Sequence, residues 1–120
     1  MEQDIIFEGS ATALVTPFKE DGGVDYRRLE ELVEQQIKAG IDALVICGTT
    51  GEASALPDEE HVAVVRTAVQ TASGRVPIIA GMGSNDTAHG VNLAKAVTAA
   101  GADALLNVTP YYNKTTQKGL

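Results

Sequence analysis

AGIDAL at residues 39–44 returns as AGADAL at residues 100–105, 61 positions later. In each copy an alanine–glycine pair closes one segment, an aspartate follows, and an apolar run begins. Glycine supplies the left-handed backbone that commonly ends a helix. The run after the aspartate reads as the start of a buried strand. A helix–glycine–strand junction repeated at this distance fits two βα units of roughly 30 residues each. Such units wind with one hand. A closed (β/α)8 barrel and a doubly wound open sheet both use them, and the repeat alone leaves both open.

Working outward, four apolar segments recur at residues 11–15, 43–47, 77–80 and 104–108. Their continuous apolar character suits parallel strands buried on both faces. Three amphipathic segments alternate with them. The first is capped by Asp25, places Leu29, Leu32, Val33 and Ile37 on one face, and ends at Gly40. The second opens at Pro57 with Asp58, Glu59 and Glu60 complementing the helix dipole, buries Val62, Val65, Ala68, Val69 and Ala72, and stops at Gly74. The third starts near Thr87 and buries Val91, Ala94 and Val97 before Gly101. The predicted order is βαβαβαβ, followed by a loop over residues 109–118.

The glycine pattern chooses between the two architectures. No G-x-G-x-x-G follows the first strand, and no phosphate-binding G-x-x-x-x-G-K-[ST] occurs. Gly81-Met82-Gly83 is too short a match to indicate a dinucleotide. Polar groups instead gather after several strand ends: Thr16, then Thr49-Thr50-Gly51-Glu52, then Ser84-Asn85, then Thr109 and Tyr111-Tyr112-Asn113. Barrel enzymes place their chemistry in those loops, so the fold expected is α/β, a (β/α)8 TIM barrel. A closed barrel takes about 250 residues. The 120 residues here are expected to form its N-terminal half, residues 1–120 being one part of a single barrel domain.

Composition narrows the function. Apolar content of 44% and charged content of 21% fit a globular chain. With 9 basic and 16 acidic residues the net charge is −7, which argues against nucleic acid or an anionic membrane as partner. Any anionic ligand must be held by local donors. No apolar run approaches a membrane span, and the acidic start Met1-Glu2-Gln3-Asp4 lacks the basic region of an export signal. The single cysteine, Cys47, sits in an apolar strand as a packed hydrophobe, and a cytoplasmic location is expected.

GTTGE at residues 48–52, VPIIAG at residues 76–81 and VTPYYN at residues 108–113 together resemble the dihydrodipicolinate synthase family. This is a branch of the pyruvate-dependent class I aldolases that also include N-acetylneuraminate lyase. The resemblance runs from about Gly9 to Leu120. GTTGE is shared across the superfamily, whereas the doubled tyrosine, followed by Gln117, Gly119 and Leu120, points to the synthase branch. It implies condensation of pyruvate with L-aspartate 4-semialdehyde through a Schiff base on a lysine, with no cofactor or metal, towards diaminopimelate and lysine. Other readings are an N-acetylneuraminate lyase-like or 2-keto-3-deoxy-sugar aldolase, and a non-catalytic half-barrel that binds small carboxylates.

By the same resemblance, Thr50 and adjacent backbone N–H groups hold the pyruvate carboxylate. Thr49 relays a proton between two tyrosines, one matching Tyr112, which in the family reaches in from a neighbouring subunit of a dimer of dimers. Lysine-sensitive members bind their inhibitor with groups matching Ser54, His61, Gly83, Asn85 and Tyr111. Where those members carry a glutamate for the inhibitor's ammonium, this sequence has His89, so weak lysine inhibition is expected. The family's Schiff-base lysine matches none of Lys19, Lys38, Lys95, Lys114 and Lys118, none of which lies in an apolar strand.

The same residues also admit plainer roles. Thr49 and Thr50 can close a turn, Glu52 can bond loop N–H groups, and Tyr111 and Tyr112 can form an interface or core pair. His61 and His89 read as helix-surface residues without a metal-ligand spacing.

Overall fold

The computed structural model describes residues 4–120. The acidic start that bears on export falls largely on residues 1–3, outside this range. Four strands, β1 (Ala11–Ala13), β2 (Ala43–Ile46), β3 (Ile78–Gly81) and β4 (Ala104–Leu106), alternate with helices α1 (Tyr26–Lys38), α2 (Asp58–Ala72) and α3 (Thr87–Ala99). All pairings are parallel and the spatial order is β1-β2-β3-β4. A doubly wound sheet reverses its order at a switch point. Here each strand is added beside the last, as in a barrel.

The repeated hexapeptide makes the same junction twice. Gly40 and Gly101 take φ of +91° and +107°, a region a β-carbon disfavours. The Gly40 and Ile41 N–H groups then bond the Ile37 and Gln36 carbonyls at 3.0 and 3.2 Å, and Gly101 and Ala102 do the same with Thr98 and Val97. Both helices thus end in a Schellman turn. The aspartate that follows is also doubled in role. Asp42 accepts from the Ser10 N–H, and Asp103 from the Ile78 N–H, each at 2.8 Å. Each carboxylate ties the start of its own strand to the start of the strand before it, which fixes register at the end opposite the site.

The core lies between the sheet and the helices. Leu29 and Val33 of α1, Leu44 and Ile46 of β2, Val64, Val65 and Ala68 of α2, Ile78 and Ala80 of β3, and Val97 of α3 are buried. Asp25 caps α1 as expected, accepting the Arg28 N–H at 3.0 Å. Three expectations need correction. The edge strands are not buried on both faces: Val15 beyond β1 is 52% exposed and Leu105 of β4 44%, whereas β2 and β3 have no exposed residue. The helices cover one face only, and the concave face is open. In α2 Val65, Ala68 and Ala72 are buried as expected, with Val62 and Val69 half-buried beside them, but the stripe also takes in His61 and Val64; histidine scores as polar and so escapes an apolar count. In α3 Gly90, Leu93 and Val97 face inward and Val91 is exposed. Gly90 has no side chain to enter a periodic count, yet it is buried against Ser84 and Met82.

Candidate functional site

Between β2 and α2 the chain must turn sharply from a buried strand. β2 ends at Ile46, one residue earlier than the sequence suggests, and Cys47 adopts φ +57° while staying 1% exposed. A left-handed conformation costs an L-residue roughly 1–2 kcal/mol. Such strain concentrates at functional sites. Among the described residues four non-glycine positions have positive φ: Cys47, Glu52, Ser73 and Tyr112. Ser73 caps α2, and the other three flank the strand C-terminal ends. Burial pushes the Cys47 thiol up to about 12, so it stays protonated and inert at neutral pH.

The kinked backbone leaves no room for a side chain opposite its carbonyl. A β-carbon on Gly81 would lie 2.0 Å from the Cys47 carbonyl oxygen, so glycine is what lets β3 end against this turn. On the other side, the buried Thr16 hydroxyl donates to the Gly51 carbonyl at 2.6 Å. Inside the loop the Glu52 N–H bonds the Thr49 carbonyl at 2.9 Å and the Ala53 N–H bonds the Gly48 carbonyl at 3.3 Å. Glu52 therefore acts through its backbone, its exposed carboxylate making no cap hydrogen bond. The backbone N–H groups of Thr49, Thr50 and Gly51 find no acceptor among the described residues, and both threonine side chains are exposed. Free N–H groups in a tight turn beside two hydroxyls form a concavity suited to a small anion.

The histidines differ from the surface pair expected. His61 is 3% exposed, with Nε2 2.6 Å from the Gly81 carbonyl. A carbonyl only accepts, so Nε2 carries the proton. Burial lowers the imidazole pKa, which keeps the ring neutral. It lies one turn before Val64 and Val65 on the buried stripe, and that placement takes it inside. His89 is half-exposed and bonded at both nitrogens: Nδ1 is 2.8 Å from Ser84 Oγ, and Nε2 is 2.8 and 2.9 Å from the two Asp58 oxygens. The hydrogen bond and charge of Asp58 raise its pKa above the ordinary 6.5.

These groups meet around a cavity of about 580 Å³ at the C-terminal ends of β2, β3 and β4. Ser54, His61, Gly83, Asn85, His89 and Tyr111 all line it, together with Thr49. Thr50 and Tyr112 do not; Tyr112 is 93% exposed. The five lysines are exposed and none lines the cavity. Sequence reasoning gave Asp58 only a dipole role, and it gave Thr16 none beyond its position after a strand. A larger groove of about 760 Å³ runs between α1 and α2 over Glu31, Glu34 and Lys38. It lies on solvent-facing helix surface away from the strand ends, where it brings together none of the predicted site residues. No helix among the described residues is long and apolar enough to cross a membrane.

Comparison with known proteins gives one family. The dihydrodipicolinate synthetase family model matches residues 6–120. The 4-hydroxy-tetrahydrodipicolinate synthase of Acetivibrio thermocellus is 61% identical over 115 residues, which are 96% of this chain and 39% of that protein. The chloride-inhibited dihydrodipicolinate synthase from Acinetobacter baumannii, complexed with pyruvate, superposes with a TM-score of 0.92 at 52% identity, covering 96% of this chain and 39% of that one. The synthase from Cyanidioschyzon merolae with lysine bound gives a TM-score of 0.87 at 40% identity, covering 91% and 37%. The chain spans about two-fifths of the length of these relatives.

Proposed function

The chain belongs to the dihydrodipicolinate synthetase family, and from that premise we propose that it is the N-terminal half-barrel of a 4-hydroxy-tetrahydrodipicolinate synthase. The enzyme joins pyruvate to L-aspartate 4-semialdehyde on the route to diaminopimelate and lysine. It works in the cytoplasm as a dimer of dimers, without metal or cofactor. The observation that carries this reading is the loop after β2. In a chain 61% identical to a synthase over 115 residues, it presents two exposed threonines and three unengaged N–H groups at a strand's C-terminal end.

In this reading Thr50 and the loop N–H groups bind the pyruvate carboxylate. A lysine on a later strand forms the Schiff base, which tautomerises to the enamine that attacks the aldehyde. Thr49 passes a proton along a hydroxyl chain that Tyr112 completes from a neighbouring subunit. The exposure of Tyr112 and its positive φ suit a side chain presented outward. The cavity lined by Ser54, His61, Gly83, Asn85, His89 and Tyr111 is the inhibitor cleft, with lysine bound weakly at neutral pH because His89 replaces an acid.

Borohydride trapping tests the activity. The full-length protein, incubated with pyruvate and reduced, should gain one carboxyethyl group, the reduced pyruvate imine, on a lysine outside the present residues. It should also consume pyruvate only when the semialdehyde is supplied. No adduct, or an adduct with turnover on a sialic acid instead, would overturn the assignment.

A further inference from the structure

We propose that Asp58 is the carboxylate that receives a ligand's primary ammonium group in the cleft, and that a proton on His89 competes with that ammonium for it. Asp58 takes this role only if the cleft is the inhibitor site inferred above. It is the sole acid among the described residues lining the cavity, its side chain is 60% exposed, and its carboxylate is held by one partner, His89. A cation entering an otherwise hydroxyl, amide and apolar cleft has no other negative charge to meet.

The hydrogen-bond pattern shows how the proton enters. Asp58 only accepts, so His89 Nε2 keeps its hydrogen in either charge state. Nδ1 faces the Ser84 hydroxyl, and that oxygen also accepts the Asp86 N–H at 3.1 Å. The hydroxyl can rotate. It accepts from Nδ1–H when the ring is cationic and donates to Nδ1 when the ring is neutral. The pair therefore keeps its geometry through titration while its net charge changes from zero to minus one. Only the second state offers an uncompensated carboxylate to an ammonium group.

The groups facing His89 agree with this direction. Asp58 comes from α2, and Asp86, the N-cap of α3, also favours the cation. His61 of α2 is neutral by burial, and Tyr111 lines the cleft from the loop after β4. With the His89 pKa above 6.5, competition reaches into the neutral range. Ligand affinity rises as pH rises, by up to about tenfold per pH unit below that pKa.

Calorimetric titration of the full-length protein with L-lysine at about pH 6 and about pH 8.5, spanning the imidazole range, tests it. Affinity should rise at least about fivefold with pH, as linkage requires, with proton release on binding at the lower value. Asp58→Asn should lose lysine binding at both values. His89→Gln should bind lysine with a flat profile, which also separates His89 from the ligand's own titration. A flat wild-type profile, undiminished binding by Asp58→Asn, or no wild-type binding at either pH would overturn the role of Asp58. Pyruvate trapping by borohydride, run in parallel, reports on the enzymatic reading separately: an adduct without proton-linked lysine binding leaves that reading standing.

Discussion

Thr16 donates its hydroxyl hydrogen to the Gly51 carbonyl at 2.6 Å, across 35 residues of chain and out of contact with water. This bond is the only side-chain hydrogen bond from another strand end to the Thr49–Glu52 turn among the described residues. Gly51 is packed just as tightly, since a β-carbon there would lie 3.2 Å from both the Leu14 carbonyl and the Cys47 backbone. Thr16 is therefore a positioning residue for the turn proposed to hold pyruvate. Thr16→Val keeps the shape and leaves a buried carbonyl unpaired, at about 1–3 kcal/mol. We expect the pyruvate Michaelis constant to rise about tenfold, equivalent to about 1.4 kcal/mol, with a smaller change in kcat. Thr16→Ser should restore it. A fall in kcat with the Michaelis constant unchanged, and no rescue by serine, would indicate simple loss of folding.

The two threonines of the turn should separate kinetically. Thr49 lines the cavity and Thr50 does not, although they are neighbours in sequence. Thr49→Val in the full-length protein should lower kcat by about 10²–10⁴, the usual worth of positioned proton transfer, with little change in pyruvate affinity. Thr50→Val should chiefly raise the pyruvate Michaelis constant. Reversed phenotypes would exchange the roles.

What could be read from the chain divides by range. The AGIDAL and AGADAL junctions were legible because a Schellman turn and the strand after it are written in six consecutive residues. The order of elements, the Asp25 cap and the placing of hydroxyls at strand ends followed from equally local patterns. The pairs that shape the cleft are not local. His61 reaches Gly81 over 20 residues, and His89 reaches Asp58 over 31. No spacing on one helix announces such contacts. Histidine also scores as polar in a periodicity count, so a helix that buries one at Gly81 reads as though that position faced water. Burial failed only at the edge strands, for a different reason: an apolar run shows that a strand wants cover but not which neighbours supply it, and β1 and β4 each pair on one side only.

His61 makes a prediction about pH and stability. Its pKa is lowered in the folded state by burial, so folding disfavours the cation. Above the ordinary value of 6.5 both states are neutral and stability is undiminished. As pH falls below 6.5 the unfolded chain takes up the proton first, and stability drops until the folded pKa is passed. His89 works the other way, since its raised pKa adds stability below 6.5 that fades as pH rises through its folded value. His61→Gln retains a donor for the Gly81 carbonyl and removes the titration. Urea denaturation midpoints of the full-length variant should therefore fall less than wild type between about pH 7 and about pH 5, above the range where most carboxylates protonate. An equal fall would show that His61 is not the acid-sensitive group.

The last prediction concerns residues 1–120 expressed by themselves. β1 and β4 form the two edges of the sheet, and each carries a row of backbone groups free to pair with another chain. The apolar surface around them is substantial: Val15, Leu105, Leu106 and Val108 are 52, 44, 47 and 48% exposed. Neither edge strand contains proline or a charged residue, the usual devices against edge-to-edge association. In a closed barrel the open concave face is covered by opposite strands and both edges are paired. Each 100 Å² of apolar surface left wet forgoes about 2.5 kcal/mol, so a few such areas rival the net stability of a domain. This segment should therefore self-associate at micromolar concentration, or show helical far-ultraviolet dichroism without a sharp near-ultraviolet signal. Adding charge at Leu105 and Val15 should reduce association without restoring cooperative unfolding. Sedimentation and dichroism decide the matter, and a dilute monomer with one cooperative transition would make this half-barrel a self-sufficient folding unit.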